Sequence, residues 1–318
     1  MLPGHRMTIK GNGMHALACT IIGTTVGGLA GLALFPLYGL FAEKTWEWVK
    51  QLIPFVLAFT LAALVLEGKK WKGKVHALTT VLASGALGFF VLRYSHVQEP
   101  LLPLISGLFG ASTLALNLHN PSPIPEQKPE RTTINAGLIA GALKGCAGGA
   151  IVSLVPAVSA SEAALWVQKL SPSKKAGHYL ALTGSINAAN TVFSFAALYY
   201  LGKPRSGTAV AVQKIVSLTN DQFILLALAM ACALGFGILA AVLLARTCTQ
   251  LISKTPSNII SAAVLLTTTT LVALASGIPG IILFIVAALV GLLPTALHCR
   301  KSTCMAALLV PTLYYYVG

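Results

Sequence analysis

Charge is what this chain has least of. Asp, Glu, Lys and Arg make up 9% of its 318 residues, where a soluble domain carries about 25%. Acids are scarcest: eight, against 22 Lys and Arg. This composition excludes an ordinary soluble domain. With 56% hydrophobic types and a mean hydropathy of +0.79, it indicates an all-α polytopic membrane protein. Cysteines number six, with no C-x-x-C, so no disulfide framework or metal site is expected. There is no H-E-x-x-H, G-x-S-x-G or P-loop, hence no enzyme constellation and no cofactor motif. The seven histidines are scattered near span ends. The N-terminus, "MLPGHRMTIKGNGMHAL", does not read as a cleavable signal peptide.

What is present is a series of long apolar runs. Spans are expected near 14–41, 52–66, 76–93, 101–118, 134–156 with 158–168, 178–201, 222–246, 258–275, 277–296 and 304–317. That makes about 9–11 transmembrane or re-entrant segments. The stretch 119–132, with four prolines in "HNPSPIPEQKPER", divides the chain. The net charge of +14 reads as loops on the cytoplasmic side rather than as a nucleic-acid surface. Placing residues 1–13 inside puts fifteen Lys and Arg inside and six outside, provided 134–168 enters and leaves on one side.

Four features stand out for function. Gly137, Gly141, Gly145 and Gly149 recur every four residues, as do Gly23, Gly27 and Gly31. Such stripes let helix backbones approach closely in lipid. After the first of these stripes comes "VSLVPAVSASEAALWVQKL", 152–170, in which Pro156 breaks the helix. Ser159 and Glu162 have capping-box spacing, and Ser161 is a second helix start. A helix N-terminus at membrane depth suits an anion, whereas near the interface the same residues merely cap a helix. Thr183, Asn187, Asn190, Thr191 and Ser194 share one helix face, for interhelical bonding or for lining a cavity. The turn "GKPRSG" gathers Lys203, Arg205 and Ser206, an anion-attracting group or an ordinary loop. Lys144, inside a span, is expected to snorkel.

Several stretches resemble the large permease subunit (TctA) of the tripartite tricarboxylate transporters, most closely its archaeal branch of unassigned function. They are "LPGHRMTIKGNG" (2–13), "PLLPLISGLFGASTLAL" (100–116), "SLVPAVSASEAA" (153–164), "GSINAANTVFSFAALYYLGKPRSGTAVAV" (184–212) and "GLLPTALHCRKSTCMAALLVPTLYYY" (291–316). The resemblance implies two inverted repeats, each opening with a Pro-Gly hairpin. Here 133–318 reads as the second repeat with its hairpin, and 1–118 as a partial first repeat without one, shortened at its N-terminus. It also implies that Pro156, Ala157, Ser159, Ser161, Asn187 and Asn190 line a substrate site. Ala157 and Ser159 stand where the family has glycine, and Glu162 where it has glutamine. A carboxylate there repels an anion unless protonated or paired, which leaves proton or cation coupling open as a role for Glu162, beside helix capping and a site that no longer works.

Three functions are open at this point. One is a permease moving a small organic anion by alternating access, with a binding protein, a small membrane subunit or further copies of itself as partners. Another is a protein that binds or flips an anionic lipid such as a polyprenyl phosphate, and the third a truncated, transport-inactive relative. The expected location is the cell membrane, multi-pass, with a cytoplasmic N-terminus.

Overall fold

The structure is a computed structural model. It describes residues 3–66, 68, 71–94, 97–121, 125–127, 132–154, 163–164, 166–167, 175–216 and 218–317. The described residues are helical, without strands. In chain order they form α1 (Pro3–Ile9), α2 (Gly13–Leu66), α3 (Trp71–Tyr94), α4 (Leu101–Ile105), a π-helical turn (Ser106–Ala111), α5 (Ser112–His119), α6 (Ala136–Val152), α7 (Ala176–Leu201), α8 (Gly207–Ile215), α9 (Asn220–Lys254), α10 (Ser257–Ala296), a 3-10 turn (Lys301–Met305) and α11 (Ala306–Val317). Among the described residues, five stretches of helix are long and apolar enough to cross a membrane: α2, α3, Leu101–His119, α9 and α10.

One expected pair of spans is joined into a single helix, and a second pair meets at a break. The runs 14–41 and 52–66 belong to α2, which is 54 residues of continuous helix. The polar segment between them, Glu43 to Lys50, contains Glu and Lys, which are good helix formers, so nothing ends the helix there. The runs 258–275 and 277–296 belong to α10, which is broken at Gly277 with φ 62° and ψ −161°. That backbone conformation is essentially restricted to glycine.

The chain divides into two compact units, and each draws on both sides of the Pro-rich stretch. The first unit, 1–51 with 124–254, holds α1, the first part of α2, and α6 to α9. Its core includes Phe35, Tyr38, Phe193, Phe195 and Leu198. Phe223 stacks on Phe35 and Tyr199, at 4.4 and 4.0 Å between centroids. The Gln127 side chain ties the Pro-rich stretch to the turn between α1 and α2. It donates to Thr8 O at 3.0 Å and accepts from Gly13 N at 2.7 Å.

The second unit, 52–123 with 255–318, holds the rest. Gly88 of α3 lies against the Ala307 backbone of α11. The π-turn packs on α10, where a Cβ on Gly107 would lie 2.6 Å from Phe284 O. Asn117 donates to Ser261 Oγ at 2.7 Å.

Candidate functional site

The site begins with the glycine stripes. Helix α7 lies between α2 and α6, and both present glycine to it. A Cβ on Gly145 would meet Leu182 O at 2.5 Å and Ser185 Cβ at 2.7 Å; one on Gly149 would meet Ala189 Cβ at 2.8 Å. Gly137 and Gly141 face His178 one and two turns earlier. From α2, Gly23 meets the Ala181 backbone, Gly27 meets Ser185, and Gly31 lies opposite Ala189. The small residues Ala181, Ser185 and Ala189, one per turn, thus receive a glycine from α2, and Ser185 and Ala189 one from each side. Ser185 Oγ donates to Ala142 O across the α6–α7 contact. Three backbones come this close only where no side chain intervenes.

One turn further along, large residues replace the small ones. Phe193 continues the α7 stripe and stacks on Tyr38 of α2, 4.7 Å between centroids. Four residues after Gly149, Ser153 at the end of α6 meets the Tyr38 hydroxyl at 2.7 Å. Ser153 Oγ also donates to Ala150 O at 2.7 Å. A serine hydroxyl has one proton, so Tyr38 is the donor of the bond they share.

Past the end of α7, Gly202 takes the left-handed conformation, φ 63°, that commonly terminates helices. The chain turns through 203–205, and Ser206 caps α8 by accepting from Ala209 N at 3.2 Å. This turn sets Lys203 and Arg205 over the ring of the buried Trp46, at 4.7 and 4.9 Å from its centroid. Arg205 is half-buried and its charge bears on the Tyr38 phenol. Its Nε and Nη2 are buried without an acceptor among the described residues. Buried guanidinium N–H groups without acceptors are rare and costly.

The polar stripe on α7 is divided. Thr183, Thr191 and Ser194 donate to carbonyls one turn back, at 2.7–2.9 Å. Asn187 is exposed and Asn190 half-buried, and neither amide makes a hydrogen bond among the described residues. Thr191 lines a cavity of about 460 Å³ that also takes in Thr24 of α2 and Thr208, the second residue of α8. The cavity therefore runs from the polar face of α7 to the capped start of α8. A second cavity, about 290 Å³ and lined by apolar groups, lies beside Tyr38 between Leu34, Phe41, Ile151 and Phe193.

The structure thus brings Lys203, Arg205 and Ser206 together at one turn and places Asn187 and Asn190 on α7. Lys144 is exposed on α6. Pro156, Ala157, Ser159, Ser161 and Glu162 lie outside the described residues. Sequence reading missed Tyr38, Ser153 and Trp46. One of them carries a signal in retrospect: Ser153 lies four residues beyond Gly149, the last glycine of its stripe, where close packing gives way.

Fold and site define an all-α, multi-pass membrane protein in which a cationic turn meets the end of a glycine-packed helix trio. The chain belongs to the tripartite tricarboxylate transporter TctA family, whose model matches residues 1–306. It is 24% identical, over 99% of its length and 80% of the relative's, to an uncharacterized protein of Methanocaldococcus jannaschii. No solved structure matches it.

Proposed function

We propose that this chain is the permease subunit of a transporter for a small carboxylate anion, working by alternating access. One observation carries the reading: Arg205 offers two buried N–H groups that nothing in the described protein accepts. A guanidinium binds a carboxylate through two parallel hydrogen bonds, so a carboxylate is the group that satisfies it. Lys203, Ser206, Asn187 and Asn190 add donors. The segment holding Pro156, Ala157, Ser159 and Ser161 follows Ser153 by only a few residues and completes the site in this reading, with Glu162 coupling a proton or cation. Residues 1–118 and 133–318 are then two incomplete inverted repeats, served by a binding protein and a small membrane subunit. Glycine lost at Ala157 and Ser159 argues for a substrate other than the family's tricarboxylates.

The test is ligand-induced thermal stabilisation of the purified chain, which needs no partner subunit. Mono-, di- and tricarboxylates are compared on wild type and on Arg205→Gln, Asn187→Ala, Asn190→Ala and Glu162→Gln. Losing one charged hydrogen bond is worth about 1.5–3 kcal/mol, so Arg205→Gln should weaken the best ligand roughly tenfold or more. Wild-type behaviour in all four variants rejects the site. Failure of every carboxylate to stabilise wild type favours the inactive relative.

The apolar cavity beside Tyr38 favours a second reading, an anionic lipid with its head at Arg205. Its walls include Phe41 and Ile151, both largely exposed on the outer surface of their helices. Stabilisation by a polyprenyl phosphate but by no soluble carboxylate selects this reading.

A further inference from the structure

Helix α2 carries Tyr38, Ala42 and Trp46 at four-residue intervals, and all three are buried. They lie on one face of the helix. One turn further on, Lys50 is exposed. Gly39, on the same side of α2, makes room for the end of α7. A Cβ there would fall 2.3 Å from Tyr200 Cζ, so the ring of Tyr200 rests on the α2 backbone. Helix α7 ends at the next residue, Leu201. From that seated end the chain turns at Gly202, and Pro204, with its own φ locked, separates Lys203 from Arg205. Both cations reach over the Trp46 ring, 4.7 and 4.9 Å from its centroid.

An arginine taken partly out of water is ordinarily paired with an acid. Here an indole holds it. Acids are close in sequence, since Glu43 and Glu47 stand either side of Trp46. Both are exposed, and neither forms an ion pair with Arg205 or Lys203 among the described residues. The difference is chemical. A carboxylate would take the N–H groups of the guanidinium, the same groups that an anionic ligand needs. A ring face attracts the charge through its quadrupole and leaves the N–H edge unused. Arg205 Nε and Nη2 are in that state, buried and without an acceptor among the described residues. Two like charges over one ring also repel one another, and an incoming anion relieves that repulsion.

We propose that Trp46 is the positioning residue of the anion site: its indole face fixes the Arg205 guanidinium without occupying the N–H groups that bind the carboxylate. The proposal rests on the carboxylate reading of Arg205 given above. It adds that affinity depends on an aromatic side chain that donates nothing to the ligand. It also makes the indole a reporter, because an anion at Arg205 changes the field across the ring.

The experiment uses the full purified chain with Trp48→Phe, Trp71→Phe and Trp166→Phe, which leaves Trp46 as its one tryptophan. Emission is read first without ligand. Arg205→Gln and Lys203→Gln should each change its intensity or its maximum. Lys214→Gln, at an exposed lysine of α8, should do neither. Acetate, succinate and citrate are then titrated in turn. The best of them should change Trp46 emission and raise the melting temperature with the same apparent Kd. Trp46→Leu, followed by melting in the otherwise wild-type chain, should weaken that ligand about tenfold. Trp46→Phe keeps a ring face and should stay within about threefold of wild type. Emission indifferent to Arg205→Gln would mean that the indole does not hold the guanidinium, a result that does not depend on Trp46→Leu folding. Wild-type affinity in Trp46→Leu would mean that the hold is not needed. Either result overturns the proposal while the carboxylate reading survives. No response of the wild-type chain to any of the three anions defeats the carboxylate reading and the proposal together.

Discussion

The bond between Tyr38 and Ser153 shows how far one residue pair can be read. Ser153 gives its proton to Ala150 O and accepts from Tyr38. The two single deletions are therefore unequal. Tyr38→Phe removes a donor and leaves Ser153 satisfied by its own helix, costing about 1 kcal/mol. Ser153→Ala leaves a buried phenol with a donor and no acceptor, costing about 1–3 kcal/mol. Thermal unfolding in detergent should rank Ser153→Ala as the more destabilised variant, and the opposite order would reverse the donor assignment. Sequence alone did not single out Ser153, although it lies one turn beyond the glycine stripe of α6. It gave no hint of Tyr38, which lies 115 residues away. The Arg205 cluster was half legible for the same reason. A local turn puts Lys203, Arg205 and Ser206 together, but only tertiary packing supplies Trp46.

At the scale of elements, glycine spacing was readable because close backbone approach requires it on a fixed face. Which helix it faced was not readable, since a stripe specifies contact without a partner. Positions outside the stripes provide the control. A Cβ at Gly145 would fall 2.5 Å from Leu182 O, whereas one at Gly237 on α9 meets nothing within 4 Å. Gly145→Ala should therefore destabilise by about 1–3 kcal/mol through overpacking. Gly237→Ala should be neutral or stabilise by up to about 1 kcal/mol, because alanine is the better helix former. Equal effects in a melting series would show that the stripe does not hold α6 to α7. Span limits were less legible than span existence. Hydropathy marks where lipid can be met, but it does not say whether a polar segment such as Glu43 to Lys50 stays helical. The break at Gly277 was more legible, because the expected spans 258–275 and 277–296 part at that residue.

At the scale of the molecule, the distribution of cations is the feature that sets orientation. Helix α9 supplies a direct test. Its 35 residues extend about 52 Å, more than a membrane's hydrocarbon core of about 30 Å. Its start is held at the cationic turn's end of the first unit, since Tyr199 at the end of α7 donates to Asn220. Its far end carries Arg246 and Lys254, which line a polar cavity with Glu126 and Gln127. On the orientation expected from the chain-wide excess of Lys and Arg, that far end would lie in the cytoplasm and the turn at 203–206 outside. No residue in the most apolar part of α9 is fully buried within the protein, as for a helix with a face towards lipid. Lys203 and Lys254 are both exposed, so each can be replaced by a cysteine in a chain whose six native cysteines have been removed. A membrane-impermeant maleimide on intact cells should label Lys203→Cys directly and Lys254→Cys only after permeabilisation. The reverse pattern would turn the protein over and put the Arg205 turn at the cytoplasmic mouth, where it would meet substrate on its way out of the site. Labelling of both from one side would mean that α9 does not cross, and the span count would fall with it.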